Sequence, residues 1–235
     1  MVMHVLRYFE RDFDYMVGAQ LDGFDTMVRL TKDAPIIILE GDEYLSSPID
    51  RRPKFLWYKP HVALISGIAW DHINVFPTYA NYVEQFSKFI ESIKPDGKLI
   101  YCEIDPEVKR LADASPKNIH ALPYGTPEHL IENGTTVLKT PEGNIPLKIF
   151  GQHNLQNLNG ARLVCNELNI SDAQFYEAIS GFTGAGKRLE RIAEGNNTLV
   201  FKDFAHSPSK LKATTAAVKA QYPSSTVIAV MELHT

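Results

Sequence analysis

Gly151-Gln152-His153-Asn154-Leu155-Gln156-Asn157 carries the densest chemistry in this chain. The run opens a stretch of helical periodicity, so an imidazole and two carboxamides share one exposed turn, with Asn154 and Asn157 three residues apart on a common face. An amide sets a donor beside an acceptor, which matches the edge of adenine. A reading without a ligand is also open: Asn154 caps the helix, its side-chain oxygen accepting from a free N–H of the first turn.

Two further polar groups stand where apolar runs end. Ile36–Leu39 leads into Glu40-Gly41-Asp42-Glu43, and Val62–Ser66 leads through Gly67-Ile68-Ala69-Trp70 to Asp71-His72. In an open parallel sheet, ligands gather outside the carboxyl ends of the strands. Glu40 and His72 are therefore expected at the ends of neighbouring strands, facing one cleft around a magnesium-nucleotide. Magnesium favours carboxylate oxygen and retained water, which makes Glu40 the direct ligand and His72 the weaker partner. The alternative is that both are ordinary polar turns. Gly181 to Lys187 matches the glycines and lysine of a phosphate-binding loop. However, Arg188 stands where a Ser or Thr must hold magnesium, and the run follows a helix instead of a strand. It reads better as a glycine-rich joint whose cations, Lys187 and Arg188, reach a phosphate if the joint closes.

The elements that must hold these groups follow from periodicity. Strands are expected at Ile36–Leu39, Val62–Ser66, Leu99–Cys102 and Ile119–Leu122, with helices at Tyr79–Ile93 and Pro106–Ala112 between them. Thr135–Lys139 and Ile145–Phe150 flank a turn and read as a hairpin. Helices follow at His153–Leu168 and Ser171–Ile179, the second opened by Ser171 and Gln174 in capping-box order. Leu199–Phe204, a helix at Pro208–Gln221 and Val227–Met231 suggest one β-α-β unit. The fold class is α/β, a mostly parallel sheet with helices on both faces. A boundary near Gly184 divides residues 1–183 from the start of a second, Rossmann-like domain at 184–235.

Composition narrows the function. The 235 residues carry a net charge of -4 with scattered basic residues, which argues against nucleic acid as a partner. Cys102 and Cys165 lack zinc-type spacing and read as core thiols in a reducing cytoplasm. No apolar run reaches the roughly 18 residues of a membrane span, and no membrane partner is expected.

Taken in order, Glu40-Gly41-Asp42-Glu43-Tyr44, Ser66-Gly67-Ile68-Ala69-Trp70-Asp71-His72, Gly151-Gln152-His153-Asn154-x-x-Asn157, Lys187-Arg188-Leu189-Glu190 and Asp203-Phe204-Ala205-His206-Ser207-Pro208 resemble the motifs of the Mur ligase family. Each piece is weak alone; the ordered set is specific. The resemblance implies a phosphate-loop-NTPase-like central domain and an ATP-dependent amide ligation in peptidoglycan synthesis or recycling. ATP phosphorylates the carboxylate of UDP-N-acetylmuramate, an amine attacks the acyl phosphate, and phosphate leaves. The amine implied first is the tripeptide L-Ala-γ-D-Glu-meso-diaminopimelate, with L-alanine, or the amine of another Mur-type ligase, as the alternative.

By motif position the resemblance makes Glu40 and His72 the magnesium ligands and His153, Asn154 and Asn157 the adenine pocket. Arg188 is implied to reach the nucleotide phosphates and to act in catalysis, Asp203 to hold the nucleotide, and His206 to be a further catalytic candidate. The carbamylated lysine of some relatives is not expected, since the matching stretch reads Glu84-Gln85-Phe86-Ser87 and Lys88 is out of register. A family phosphate loop belongs immediately before the helix that Met3–Phe9 resembles, and residues 1–235 contain none. The implied picture is the middle of a ligase, inert alone, with its UDP-sugar domain and most of its C-terminal domain elsewhere, the latter ending at Glu232-Leu233-His234-Thr235. A competing reading is a non-catalytic nucleotide-binding module or scaffold.

Overall fold

A computed structural model describes residues 1–18 and 23–231 of the chain. In chain order it contains α1 (Val2–Tyr8), β1 (Asp14–Met16), β2 (Val28–Arg29), β3 (Ile37–Leu39), a 3-10 turn at Lys54–Trp57, β4 (Val62–Ile65) and α2 (Tyr79–Glu91). There follow β5 (Lys98–Cys102), α3 (Pro106–Asp113), β6 (His120–Tyr124), β7 (His129–Glu132), β8 (Thr135–Thr140), β9 (Gly143–Leu147), α4 (Gln152–Glu167) and α5 (Asp172–Ile179). β10 (Glu190–Gly195), β11 (Thr198–Lys202) and α6 (Pro208–Gln221) complete the described chain.

The best-defined layer is the parallel sheet β4-β5-β6. Its middle strand is apolar on both faces, as a strand covered from both sides must be. Leu99 and Tyr101 face a core built with Val83, Phe86 and Ile90 of α2 and Val108 of α3. Ile100 and Cys102 face the other way, toward Leu163 and Val164 of α4. Helices therefore lie on both faces, as the sequence pattern implies. α2 and α3 each begin at a side-chain cap: the Thr78 hydroxyl accepts from Asn81 N at 3.2 Å, and Asp105 accepts from Glu107 N and Val108 N with Pro106 in the first turn. The capping box at Ser171 and Gln174 is formed.

A second core joins α1, β1, α4 and α5 through Val5, Leu6, Tyr15, Leu158 and Phe175. β3 pairs with β1 in parallel in a separate sheet ordered β2-β1-β3. The expected hairpin at Thr135–Lys139 and Ile145–Phe150 forms as β8 and β9, with β7 as an additional antiparallel strand.

The β-α-β unit expected from Leu199 onward does not form as expected. β11 pairs antiparallel with β10, and Val227–Met231 makes no strand. An extended apolar segment becomes a strand only when a neighbour takes its backbone hydrogen bonds; here Ile228 and Val230 are 84% and 95% exposed. Glu232–Thr235 lies outside the described residues. α6 occupies its expected span and packs Ala217 against Phe150 and Leu189, with Phe201 and Tyr222 alongside. Among the described residues, no helix is long and apolar enough to cross a membrane.

Candidate functional site

The amino end of α4 is set by Gly151, not by Asn154. Gly151 is the N-cap at φ +92°, and a Cβ placed there would lie 2.6 Å from the Ala217 Cβ of α6. Only glycine satisfies both the left-handed backbone and the approach of the second helix. Asn154 sits inside the first turn, where its Nδ2 donates to Phe150 O at 2.9 Å. The capping reading of Asn154 is thereby corrected: the amide nitrogen, and not the oxygen, is engaged, and its partner is a carbonyl upstream of the helix. Asn157 is exposed, and among the described residues its side chain makes no hydrogen bond. His153 is half-buried beside them. Burial pushes its pKa below the ordinary value, the Asp203 carboxylate pulls it back up, and the Arg188 guanidinium lowers it further. His153, Arg188 and Asp203, drawn from α4, the joint and the segment after β11, therefore share one electrostatic neighbourhood.

Asp203 is heavily used within the fold. Its carboxylate accepts from Leu189 N at 2.7 Å, Ala205 N at 2.7 Å and the Thr214 hydroxyl at 3.3 Å. Lys187 and Leu189 both lie in the left-handed region at φ +58° and +47°, which costs each residue about 1–2 kcal/mol. The Asp203–Leu189 bond holds that strained joint and so presents Arg188. The Arg188 guanidinium stands 5.8 Å from the centroid of Phe204, and the His206 ring meets the same aromatic edge-on at 5.2 Å. Phe204 is 57% exposed between a cation and an imidazole. Sequence reasoning passed over Phe204; its position between Asp203 and His206 was the available signal.

Glu40 and His72 follow strands of two different sheets, so they do not end hydrogen-bonded neighbours as expected. The Glu40 carboxylate accepts from Gly18 N at 2.6 Å. His72 adopts φ +54°, uncommon for a residue with a Cβ, and its N–H donates to Asp71 Oδ1 at 2.9 Å. Its Nε2 lies 3.6 Å from Glu43 Oε1, which also accepts from the Tyr82 hydroxyl at 3.2 Å. The Tyr44 ring packs edge-on at 5.0 Å. Glu43 is thus a carboxylate within reach of the imidazole, a role that spacing alone did not single out. Among the described residues, no three His, Cys, Asp or Glu side chains gather closely enough to hold a metal by themselves. Glu40 also borders a cavity of about 620 Å³ whose walls include Met1, His4, Ile38, Phe182 and Gly184, so the β3 end and the joint open on one space.

Residues 20–165 match the model of the Mur ligase middle domain. Over 236 residues the chain is 27% identical to the UDP-N-acetylmuramate–L-alanine ligase of Desulfitobacterium hafniense (strain Y51), covering 94% of this chain and 53% of that protein. Among solved structures, MurF from Acinetobacter baumannii superposes with a TM-score of 0.72 at 19% identity, covering 92% of this chain and 49% of that one. The UDP-N-acetylmuramate:L-alanyl-gamma-D-glutamyl-meso-diaminopimelate ligase from Neisseria meningitides superposes with a TM-score of 0.68 at 18% identity, covering 78% and 61%. The chain spans about half the length of the curated relatives it matches. With the matched segment covering more than half of its residues and running through both α/β cores, this chain belongs to the Mur ligase family.

Proposed function

We propose that this chain is the nucleotide-handling part of an ATP-dependent ligase of peptidoglycan synthesis or recycling. The observation that carries this reading is the arrangement at α4: the free Asn157 amide beside a half-buried His153 whose charge environment includes Arg188 and Asp203. Residues 1–183 act as the central ATP-binding domain, and residues 184–235 begin the next domain. His153, Asn154 through its remaining oxygen, and Asn157 take the adenine edge. Arg188 meets the phosphates and stabilises charge on the transferring phosphoryl group. Asp203 holds the nucleotide side of the joint in place, and His206 stands beside Arg188 across Phe204 as the second candidate for the chemistry.

The chemistry of a carboxylate and an imidazole suits magnesium. The ion keeps several waters and takes most of its remaining ligands from nucleotide phosphates, so one carboxylate and one auxiliary side chain suffice where a protein-only cage would fail. Glu40 would be the direct ligand and His72 the auxiliary one. When bound, the ion neutralises phosphate charge during transfer.

The acid substrate is UDP-N-acetylmuramate, activated as an acyl phosphate. For the amine, the curated relatives support L-alanine and the solved neighbour from Neisseria meningitides supports the L-Ala-γ-D-Glu-meso-diaminopimelate tripeptide. A supply of ATP and a nucleotide sugar places the reaction in the cytoplasm. The test is phosphate release and product mass for the intact protein in which this chain occurs, given UDP-N-acetylmuramate, Mg-ATP and each amine in turn. One amine yielding a product heavier by that amine less water supports the reading; ATP binding without product from either supports a non-catalytic nucleotide module instead.

A further inference from the structure

We propose that Lys210 is a positioning residue for His72, acting through Asp71, so that the docking of α6 sets the backbone of the candidate magnesium residue. This rests on the assignment of His72 made above. The two oxygens of Asp71 serve two masters: Oδ1 accepts from His72 N at 2.9 Å, and Oδ2 accepts from Lys210 Nζ at 3.0 Å. The lysine comes from 139 residues further along the chain. Its site on α6 is unfavourable in itself, because a cation in the first turn opposes the helix dipole. Asp71 supplies an acceptor outside the helix that offsets this.

His72 needs such a tie. A histidine at φ +54° reverts to commoner backbone regions unless its surroundings over-determine the turn. Within the turn, the His72 carbonyl already accepts from Val75 N at 2.8 Å and Phe76 N at 2.9 Å. Asp71 fixes the remaining backbone group, and Lys210 fixes Asp71. α6 is anchored at two further points: Ala217 lies against Gly151 at the start of α4, and Gln221 Nε2 donates to Gly134 O at 2.7 Å. One helix therefore touches the turn of His72 and the cap of the adenine-side helix, and couples the two halves of the candidate nucleotide site.

The test compares Lys210→Met, Lys210→Arg and Gln221→Leu with the parent chain, by hydrogen exchange over Gly67–Phe76 and by the NMR signals of the His72 ring. Lys210→Met is expected to speed exchange in that turn by about tenfold and to shift the ring signals, with Lys210→Arg restoring both. Unchanged exchange and ring signals in Lys210→Met overturn the proposal. An equal effect from Gln221→Leu also overturns it, since general loosening of α6 would then suffice. Broadening of the His72 ring signals by Mn²⁺ added together with ATP, beyond that seen with Mn²⁺ alone, tests the metal assignment separately: its absence from a chain whose amide signals show ATP bound rejects that assignment and leaves the positioning result to be read from exchange.

Discussion

Gln221 and Thr136 form a buried polar pair across 85 residues, the Thr136 hydroxyl donating to Gln221 Oε1 at 2.9 Å while Gln221 Nε2 serves Gly134 O. The pair pins the end of α6 to the β7-β8 hairpin. Gln221→Ala would strand the buried Thr136 hydroxyl away from water, and a buried unsatisfied group costs about 1–3 kcal/mol. Denaturant unfolding is expected to show a loss of that size. Adding Thr136→Val to Gln221→Leu should cost less than the sum of the two single changes, because the stranded partner is then gone as well.

Packing of α4 on the sheet gives a second expectation. A Cβ at Gly160 would stand 2.8 Å from Tyr124 Cζ and 3.0 Å from Leu64 Cδ1. Overpacking of about 1–3 kcal/mol should outweigh the gain of about 1 kcal/mol that alanine brings to a helix. Gly160→Ala is therefore expected to lower the melting temperature, whereas Gly186→Ala, with open space around it, should not. The Tyr124 hydroxyl is buried without a hydrogen-bond partner among the described residues, so Tyr124→Phe should be neutral or stabilising.

His153 makes stability depend on pH in a definite direction. Its folded pKa lies below the ordinary 6.5, chiefly through burial, with Asp203 opposing and Arg188 reinforcing the shift. Between the folded value and 6.5 the unfolded chain holds a proton that the folded chain lacks, so stability falls as pH drops through this window. Below the folded value both states are protonated and the dependence ends. His153→Gln should remove the effect: the difference in unfolding midpoint between parent and variant is flat above 6.5 and changes only below it.

The helices were legible because their signals are local. Pro208 with Ser207 before it marks the start of α6, and Ser171 with Gln174 marks α5. β1 and β10 were not. Asp14–Met16 is three residues long, and Glu190–Gly195 is exposed throughout, so neither shows an apolar pattern and each exists through its pairing partner. The same division holds at the site. His153 and Asn157 are candidates that one turn of sequence suggests, while the contacts of Glu43 with His72 and of Lys210 with Asp71 follow from no spacing.

Asn154 and Asn157 should separate in experiment. Asn154→Ala loses the bond to Phe150 O and should cost about 1 kcal/mol of stability. Asn157→Ala should leave stability unchanged and, in the intact protein, weaken ATP binding by roughly one to two orders of magnitude. Normal ATP binding by the Asn157 variant would remove that amide from the pocket.

Residues 1–235 contain no phosphate-loop sequence of the family type to cradle the β- and γ-phosphates, and the isolated chain should show no magnesium-dependent ATP turnover. Phosphate release by the purified chain, abolished in Arg188→Ala, would contradict this.

Nucleotide recognition at the start of α4 is the claim on which the functional account stands, and its most direct test is an amide NMR titration of the 15N-labelled chain with Mg-ATP into the millimolar range. Saturable shifts are expected at His153, Asn154, Asn157 and Arg188, reproduced by adenosine at the first three. Shifts confined to other parts of the chain, or none at α4, would contradict it.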